Sequence, residues 1–386
     1  VYRMTDYLKS QIITYMGNKR KLLDKISGVV DDVSHKLGKT HISVGDGFSG
    51  SGIVSRLLKT KTTTLYTNDI AGYSKTLNEC FLSTPSTQEL KKVCVYIDKT
   101  NEIGEKACFY GLNEVSSDPW VSKYWAPQKD EDIKETDRVY FTRKNAIKID
   151  AMRDYIETIP TKYRSYVLAL LLVETSIHNN TNGQFAAFYK NGDVGAFGGK
   201  NGVDVRRITK DIHLPYPILC DNPCDVHISQ QDTNEWVKNI PELDLVYYDP
   251  PYNKHPYNIY YFLLDIVNDW DKTIEVPDTY RGQPKNWTRS KYNSSKDAKD
   301  AFKDLMDNTR SKYVLISYNS TGIINIDDLM ALLELYGDVK KIVLEHKTYN
   351  KLKGIGNYKR EKDDVEVKEF LLLVEMKQKK QVTNKF

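Results

Sequence analysis

The chain is poor in the features that usually betray a class at sight. Its longest apolar runs, residues 167–173 and 370–374, fall far short of the ~20 residues that a bilayer-spanning helix needs, which argues against a membrane role. No basic stretch followed by an apolar segment opens the sequence, so an export signal is not expected. Cysteine is sparse, with five residues in 386. That is too few to staple a chain of this length, and reduced thiols in a cytoplasmic protein fit better. Cys220 and Cys224 have His213 and His227 nearby, but no second pair with ligand spacing follows, so no metal is expected. An excess of one charge is missing too: 56 Lys and Arg face 52 Asp and Glu, a net of +4. Such a balance neither demands nor excludes a nucleic-acid partner, because clustering on one face is what matters.

What is present is a broken alternation of strand and helix patterns. Strands are predicted at residues 41–44, 62–66, 225–228, 243–248, 313–318, 340–346 and 369–375, the last two antiparallel. Tyr15-Met16-Gly17-Asn18 reads as a turn, after which Leu22, Leu23 and Ile26 recur at helical spacing. The first two strands flank a glycine loop and a helix over 50–58, which makes a βαβ unit. Residues 81–160 read as polar and irregular, with a strand-like patch at Tyr140-Phe141; an apolar helix follows over 163–178. The economical organisation is one discontinuous α/β domain, 1–80 with 218–386, interrupted by an inserted region at 81–217. A second excursion at 271–293 carries Trp and several basic residues, and loops that long are commonly functional.

Two motifs carry chemistry. The first runs Asp46-Gly47-Phe48-Ser49-Gly50-Ser51-Gly52 behind the first strand, with Asn68-Asp69 behind the second. Glycines let backbone turn tightly against a ligand, and an acid at the second strand's end can accept from ribose hydroxyls. The loop is neither the GxGxxG fingerprint nor a phosphate-gripping loop, and Asp46 would repel a pyrophosphate. A carboxylate there suits the cationic end of a ligand, although a purely structural glycine turn competes with that reading. The second motif, Asp249-Pro250-Pro251-Tyr252, follows four apolar strand residues. Two prolines stiffen the backbone and remove two N–H donors while leaving carbonyls as acceptors. A carboxylate, a fixed carbonyl and a tyrosine ring together would recognise a planar heterocycle bearing an amino group.

In the order Tyr15-to-Lys19, glycine loop, long insertion, Asp-Pro-Pro-Tyr, the chain resembles the alpha group (Dam-like) of DNA adenine-N6 methyltransferases of restriction-modification systems. Ser317-Tyr318-Asn319-Ser320, the stretch from Tyr140 to Asp150 and the segment 179–190 resemble that group as well. The resemblance implies a Rossmann-like sheet that uses S-adenosyl-L-methionine, with a mostly helical or irregular target-recognition insertion. It also implies that Tyr15, Lys19, Asp46, Phe48, Ser49, Gly50 and Asp69 contact the cofactor, and that Gln231, Asp232 and Thr233 hold its adenine. Asp249, Pro250, Pro251 and Tyr252 would then form the catalytic pocket for an adenine flipped out of double-stranded DNA. One departure stands: Gly47 intervenes between the acid and the phenylalanine. A cognate restriction endonuclease would act separately. Methylation of cytosine-N4 or of an RNA base, and a catalytically silent nucleic-acid-binding subunit, remain as alternatives.

Sequence reading of DNA has to come from outside that pocket. Arg206 and Arg207 in the insertion, and Arg281, Lys285, Trp287 and Arg289 in the later loop, mix bidentate base readers with phosphate donors. Taken singly, each is equally well explained as solvated surface.

Overall fold

The computed structural model describes residues 4–110, 118–254, 256–285, 289–344 and 368–377. Among these residues nine strands are formed: β1 (Ile42–Asp46), β2 (Thr62–Asp69), β3 (Lys190–Asn191), β4 (Val194–Gly195), β5 (Asp225–Gln230), β6 (Leu243–Tyr248), β7 (Ser311–Asn319), β8 (Gly337–Leu344) and β9 (Glu369–Met376). β3 and β4 make a small separate hairpin. The other seven form one sheet in the order β5-β2-β1-β6-β7-β9-β8. Its strands pair in parallel from β5 through to β7, whereas β9 runs antiparallel to both β7 and β8. The sheet is thus Rossmann-like, with one reversed strand inserted beside its last edge.

Strand burial follows position in the sheet. All six residues of β6 are buried, as a parallel strand covered on both faces requires. β5, at the edge, has no fully buried residue. Helices Leu23–Lys36 and Ile53–Lys59 cover one face, with Ile26, Val30, Val33 and Leu58 packed against Val44, Leu245 and Leu315. Helices Thr233–Asn239, Ala298–Asn308 and Ile326–Glu334 cover the other, with Trp236, Phe302 and Leu333 against Val246, Val314 and Leu372. Chain order reverses between β1 and β6, and the crevice beyond the carboxyl ends of two such strands is where open α/β sheets bind ligands.

The insertion is more regular than its polarity suggests. Where an irregular stretch was expected, Thr87–Tyr110 is a 24-residue helix, and Arg143–Thr158 is another. The first buries only a narrow stripe, including Val93, Ile97 and Ala107, which is why its periodicity is faint. Gly104 on that stripe has Met152 Cε only 2.4 Å from where a Cβ would stand, so the helices meet closely there. Tyr140 and Phe141 do not form a strand. They lie wholly buried in irregular chain and donate their N–H groups to the Trp125 carbonyl, because no partner strand runs beside them. Helices Gly72–Phe81, Thr161–Ile177 and Tyr257–Asp269 share a single apolar core with the insertion, from Leu77 and Phe81 through Leu168 and Leu172 to Leu263 and Val267.

The chain leaves the sheet and returns to it beneath one lysine. Lys59 is fully buried, and its Nζ donates to Ser83 O (2.8 Å), Thr84 Oγ1 (2.9 Å) and Cys220 O (2.8 Å). Lys59→Met keeps the stem but strands three acceptors. With charged hydrogen bonds worth ~1.5–3 kcal/mol, we expect it to destabilise the fold by about 3 kcal/mol in urea denaturation. Unchanged stability would mean that those oxygens find other donors.

Candidate active site

Asp46 ends β1 beside Tyr247 of β6, and the glycine loop turns away immediately. The Gly47 N–H donates to the Tyr247 carbonyl at 3.0 Å, and a Cβ on Gly47 would lie 2.7 Å from the Tyr248 ring. This close approach is the physical reason for the extra glycine before Phe48. Gly50 has φ +50, and a Cβ there would stand 2.8 Å from the Tyr15 ring, so loop and aromatic wall are fitted to each other. Asp46 is fully buried; Ser55 Oγ donates to its Oδ2 at 2.6 Å, while Oδ1 has no hydrogen-bond partner. Asp69 is oriented from both sides, accepting Gly50 N–H at 2.7 Å and Ala71 N–H at 2.9 Å.

At the end of β6, Asp249 meets a buried cation. Lys19 Nζ lies 3.2 Å from Asp249 Oδ1, an ion pair rather than an aligned hydrogen bond. The same ammonium stands 5.4 Å from the Tyr252 ring centroid. Asn18 opens the turn that delivers Lys19, its side chain accepting Arg20 N–H. A cavity of about 340 Å³ runs from this pair past the glycine loop to Asp69, Gln230 and Asp232. Its wall includes a tyrosine group: Tyr15 stacks on Tyr261 at 4.6 Å and on Tyr257 at 5.3 Å. Phe48 packs edge-on against Tyr292 at 5.3 Å.

Such a crevice fits many nucleotide ligands, so comparison with known proteins is decisive. Residues 15–332 match the D12 class of N6 adenine-specific DNA methyltransferases. The chain belongs to that family. It is similar to the type II methyltransferase M.NlaIII of Neisseria lactamica (27% identity, covering 87% of this chain and 92% of that protein). It is also similar to M.CviAII of Paramecium bursaria Chlorella virus 1 (25% identity; 95% and 99%). A third relative, the modification methylase StsI of Streptococcus sanguinis, is 28% identical over 85% of this chain but only 48% of its own length. The protein is therefore an adenine-specific DNA methyltransferase that uses S-adenosylmethionine as methyl donor and double-stranded DNA as substrate, and adenine N6 prevails over cytosine-N4 and RNA bases. The residues suit the donor. A sulfonium nucleoside is cationic, and the cavity offers several carboxylates and a glycine loop pressed against an aromatic ring.

Of the residues named from sequence, Tyr15, Lys19, Phe48, Ser49, Gly50, Asp69, Asp232, Thr233, Asp249 and Pro251 line the methyltransferase cavity. Asp46, Gln231, Pro250 and Tyr252 lie outside its lining. Gln231 instead uses its backbone, exchanging hydrogen bonds with the Asn68 side chain at 3.0 and 3.1 Å. Sequence reasoning missed Tyr73, Tyr257, Asn258, Asp265 and Tyr292, which also line it; they sit on helices and loops with no motif of their own. Among the basic residues proposed for DNA, Arg207 is committed elsewhere. Its guanidinium donates to the carbonyls of Ile177, Asn179 and Thr181 and so holds a turn of the insertion. Arg206, Lys285 and Arg289 are exposed and Arg281 is half-buried, while Trp287 lies outside the described residues.

Electrostatics sharpen the picture. Burial pushes the Asp46 carboxyl up to about 7, against the pull of the Ser55 hydroxyl, and nearby Asp249 adds to the rise. Burial likewise pushes Asp249 up to about 6, with Lys19 opposing. A proton on Asp46 cancels its attraction for a cationic ligand, so affinity for S-adenosylmethionine should rise with pH through about 7 and level off above it. Calorimetry from pH 5.5 to 8.5 measures this. Asp46→Asn should flatten the step near 7, whereas Asp249→Asn should keep a step but move it to lower pH; a step that survives Asp46→Asn assigns the titration elsewhere.

Proposed function

We propose that this methyltransferase modifies adenines within a short recognition sequence as the protective half of a restriction-modification system. In this reading it works in the cytoplasm of a bacterium or phage-infected cell, beside a separate cognate endonuclease. The relatives' names, type II methyltransferase and modification methylase, support that context. The observation that carries the residue assignment is the placement of Asp249 at the carboxyl end of β6, paired to Lys19 at the head of the cavity.

A paired adenine cannot reach that depth, so the base has to leave the helix. In our reading the flipped adenine displaces Lys19 from Asp249, and the Asp249 carboxylate and the Pro250 carbonyl accept the two amine protons. The nitrogen lone pair, otherwise delocalised into the ring, is thereby localised and aimed. Tyr252, braced edge-on by Tyr318 at 5.9 Å, supplies a ring face for the base. Bound S-adenosylmethionine supplies an electrophilic methyl group. Asp249, whose carboxyl burial already pushes up, takes the proton that the methylated nitrogen sheds. Orientation and electrostatics do the work, with no covalent enzyme intermediate. Residues 1–80 with 218–386 serve as the catalytic part in this reading, and 81–217 together with the 271–293 loop read DNA.

Sequencing that detects modified adenine in DNA from a host expressing the chain tests the assignment and returns the recognition sequence; unmodified adenine throughout would sink it. Asp249→Ala should lower single-turnover methylation ~10²–10³-fold or more, with cofactor binding largely kept. Tyr252→Ala should weaken base binding by ~1–3 kcal/mol, and Tyr252→Phe by much less; equal losses would refute stacking. Arg281→Ala or Arg289→Ala should cost ~1–3 kcal/mol of discrimination if the residue reads a base, or flatten the salt slope if it meets phosphate. Binding to cognate and scrambled duplexes at two salt concentrations distinguishes these outcomes.

A further inference from the structure

The loop that follows helix Tyr257–Asp269 presents one aromatic ring in an unusual setting. Tyr280 is 45% exposed, yet the backbone around it is firmly held. Arg138 donates to the carbonyls of Pro277 (3.0 Å) and Thr279 (2.9 Å), and Trp125 Nε1 donates to Arg281 O at 3.0 Å. Gly282, at φ +61, closes the turn with its N–H on Thr279 O at 3.1 Å. A Cβ on Gly282 would lie 2.9 Å from Arg138 Nε, so the turn has one fitted shape. An exposed ring on a backbone pinned this way is presented rather than left over.

The ring is also backed. Tyr280 stacks on the buried Phe188 with centroids 4.8 Å apart and planes 25° off parallel. Lys190 Nζ stands 4.4 Å from the Tyr280 centroid and 5.7 Å from that of Phe188. An ammonium across the tyrosine from Phe188 would lie at nearly the sum of the other two distances. Phe188 and Lys190 therefore do not stand on opposite sides of the ring, and 45% of Tyr280 remains exposed. The support continues inward. Phe188 meets Tyr140 edge-on at 5.0 Å, and Tyr140 meets Phe262 of the helix Tyr257–Asp269 at 5.9 Å. The first turn of that helix contributes Tyr257 and Asn258 to the cofactor cavity, and Gln283 Nε2, three residues after Tyr280, donates to the Asn258 carbonyl at 3.1 Å.

We propose that the exposed ring of Tyr280 enters the DNA stack and fills the gap left when the target adenine swings out, while Lys190 takes a neighbouring phosphate. The inference rests on the reading that adenine is drawn out to Asp249. An extruded base leaves its neighbours unstacked, and a flat ring is the cheapest filler because every base offers a π face. A ring already buttressed by Phe188 and anchored at its backbone loses little freedom on insertion. The adjacent ammonium suits the phosphate that flanks the gap.

The test is single-turnover methylation by the full chain on two cognate duplexes, one fully paired and one with an abasic site opposite the target adenine. Tyr280→Ala should slow the paired duplex roughly 5- to 150-fold, the factor equivalent to one base–aromatic stack. It should recover on the abasic-partner duplex, where no pairing holds the adenine in, and Tyr280→Phe should stay close to the parent on both. 2-Aminopurine at the target position should brighten less with Tyr280→Ala than with the parent enzyme. Lys190→Ala should weaken binding to all duplexes and flatten the salt slope. Equal losses on the two duplexes, or no loss on either, would overturn the proposal. Calorimetric cofactor binding checks folding; if Tyr280→Ala fails it, Tyr280→Leu keeps the packing on Phe188 without the π face and makes the same comparison. Full activity of Asp249→Ala would instead bring down the pocket reading, whatever the Tyr280 variants do.

Discussion

A buried ammonium paired with a largely buried carboxylate at the reversal point of the sheet holds the catalytic end of this enzyme in place. Burial penalises both charges, and each is tolerated because the other is there. Burial alone would lower the Lys19 pKa, but Asp249, Tyr252 and Glu369 reverse that effect and raise it. The pair ties the segment before the first sheet strand to the end of β6. Arg56 secures the same segment further back, donating to the carbonyls of Tyr7, Ser10 and Gln11 from a fully buried position. The segment before the first sheet strand is therefore a wall of the active site.

That arrangement explains why the two motifs could be read and the rest of the cavity could not. Asp249-Pro250-Pro251-Tyr252 and the glycine loop are contiguous, and each sits where a strand ends, so residue type and local geometry point the same way. The tyrosine wall is different. Tyr15, Tyr257 and Tyr261 are far apart in the chain and meet only because helix Tyr257–Asp269 packs across the N-terminal turn, where Met16 N–H donates to the Tyr261 hydroxyl. Among 27 tyrosines nothing local singles these three out.

The insertion shows the same limit from the other side. Sheet strands were legible because the buried central ones are almost continuously apolar. Helix Thr87–Tyr110 was not, because most of its circumference faces water and its inner stripe includes Thr100, Asn101 and Gly104. Arg207 is ambiguous in sequence for a related reason: a guanidinium can serve a phosphate or backbone carbonyls equally well, and only the folded turn of residues 177–181 reveals its three carbonyl partners. The departure at Gly47, by contrast, became intelligible once the Tyr248 ring was seen to fill the space a side chain would need.

The shared core of insertion and catalytic helix bears on how such enzymes diversify. Leu168 and Leu172 pack into the same cluster as Leu263 and Val267, so the insertion cannot be exchanged as a cassette without disturbing the helix that lines the cofactor cavity. In the reading proposed above, changes of specificity that spare catalysis are then confined to tips that leave this core alone, such as the turn of the β3–β4 hairpin. An ancestral sequence could drift quickly at those tips and hardly at all beneath them, and lineages with new recognition sites would inherit the packing intact.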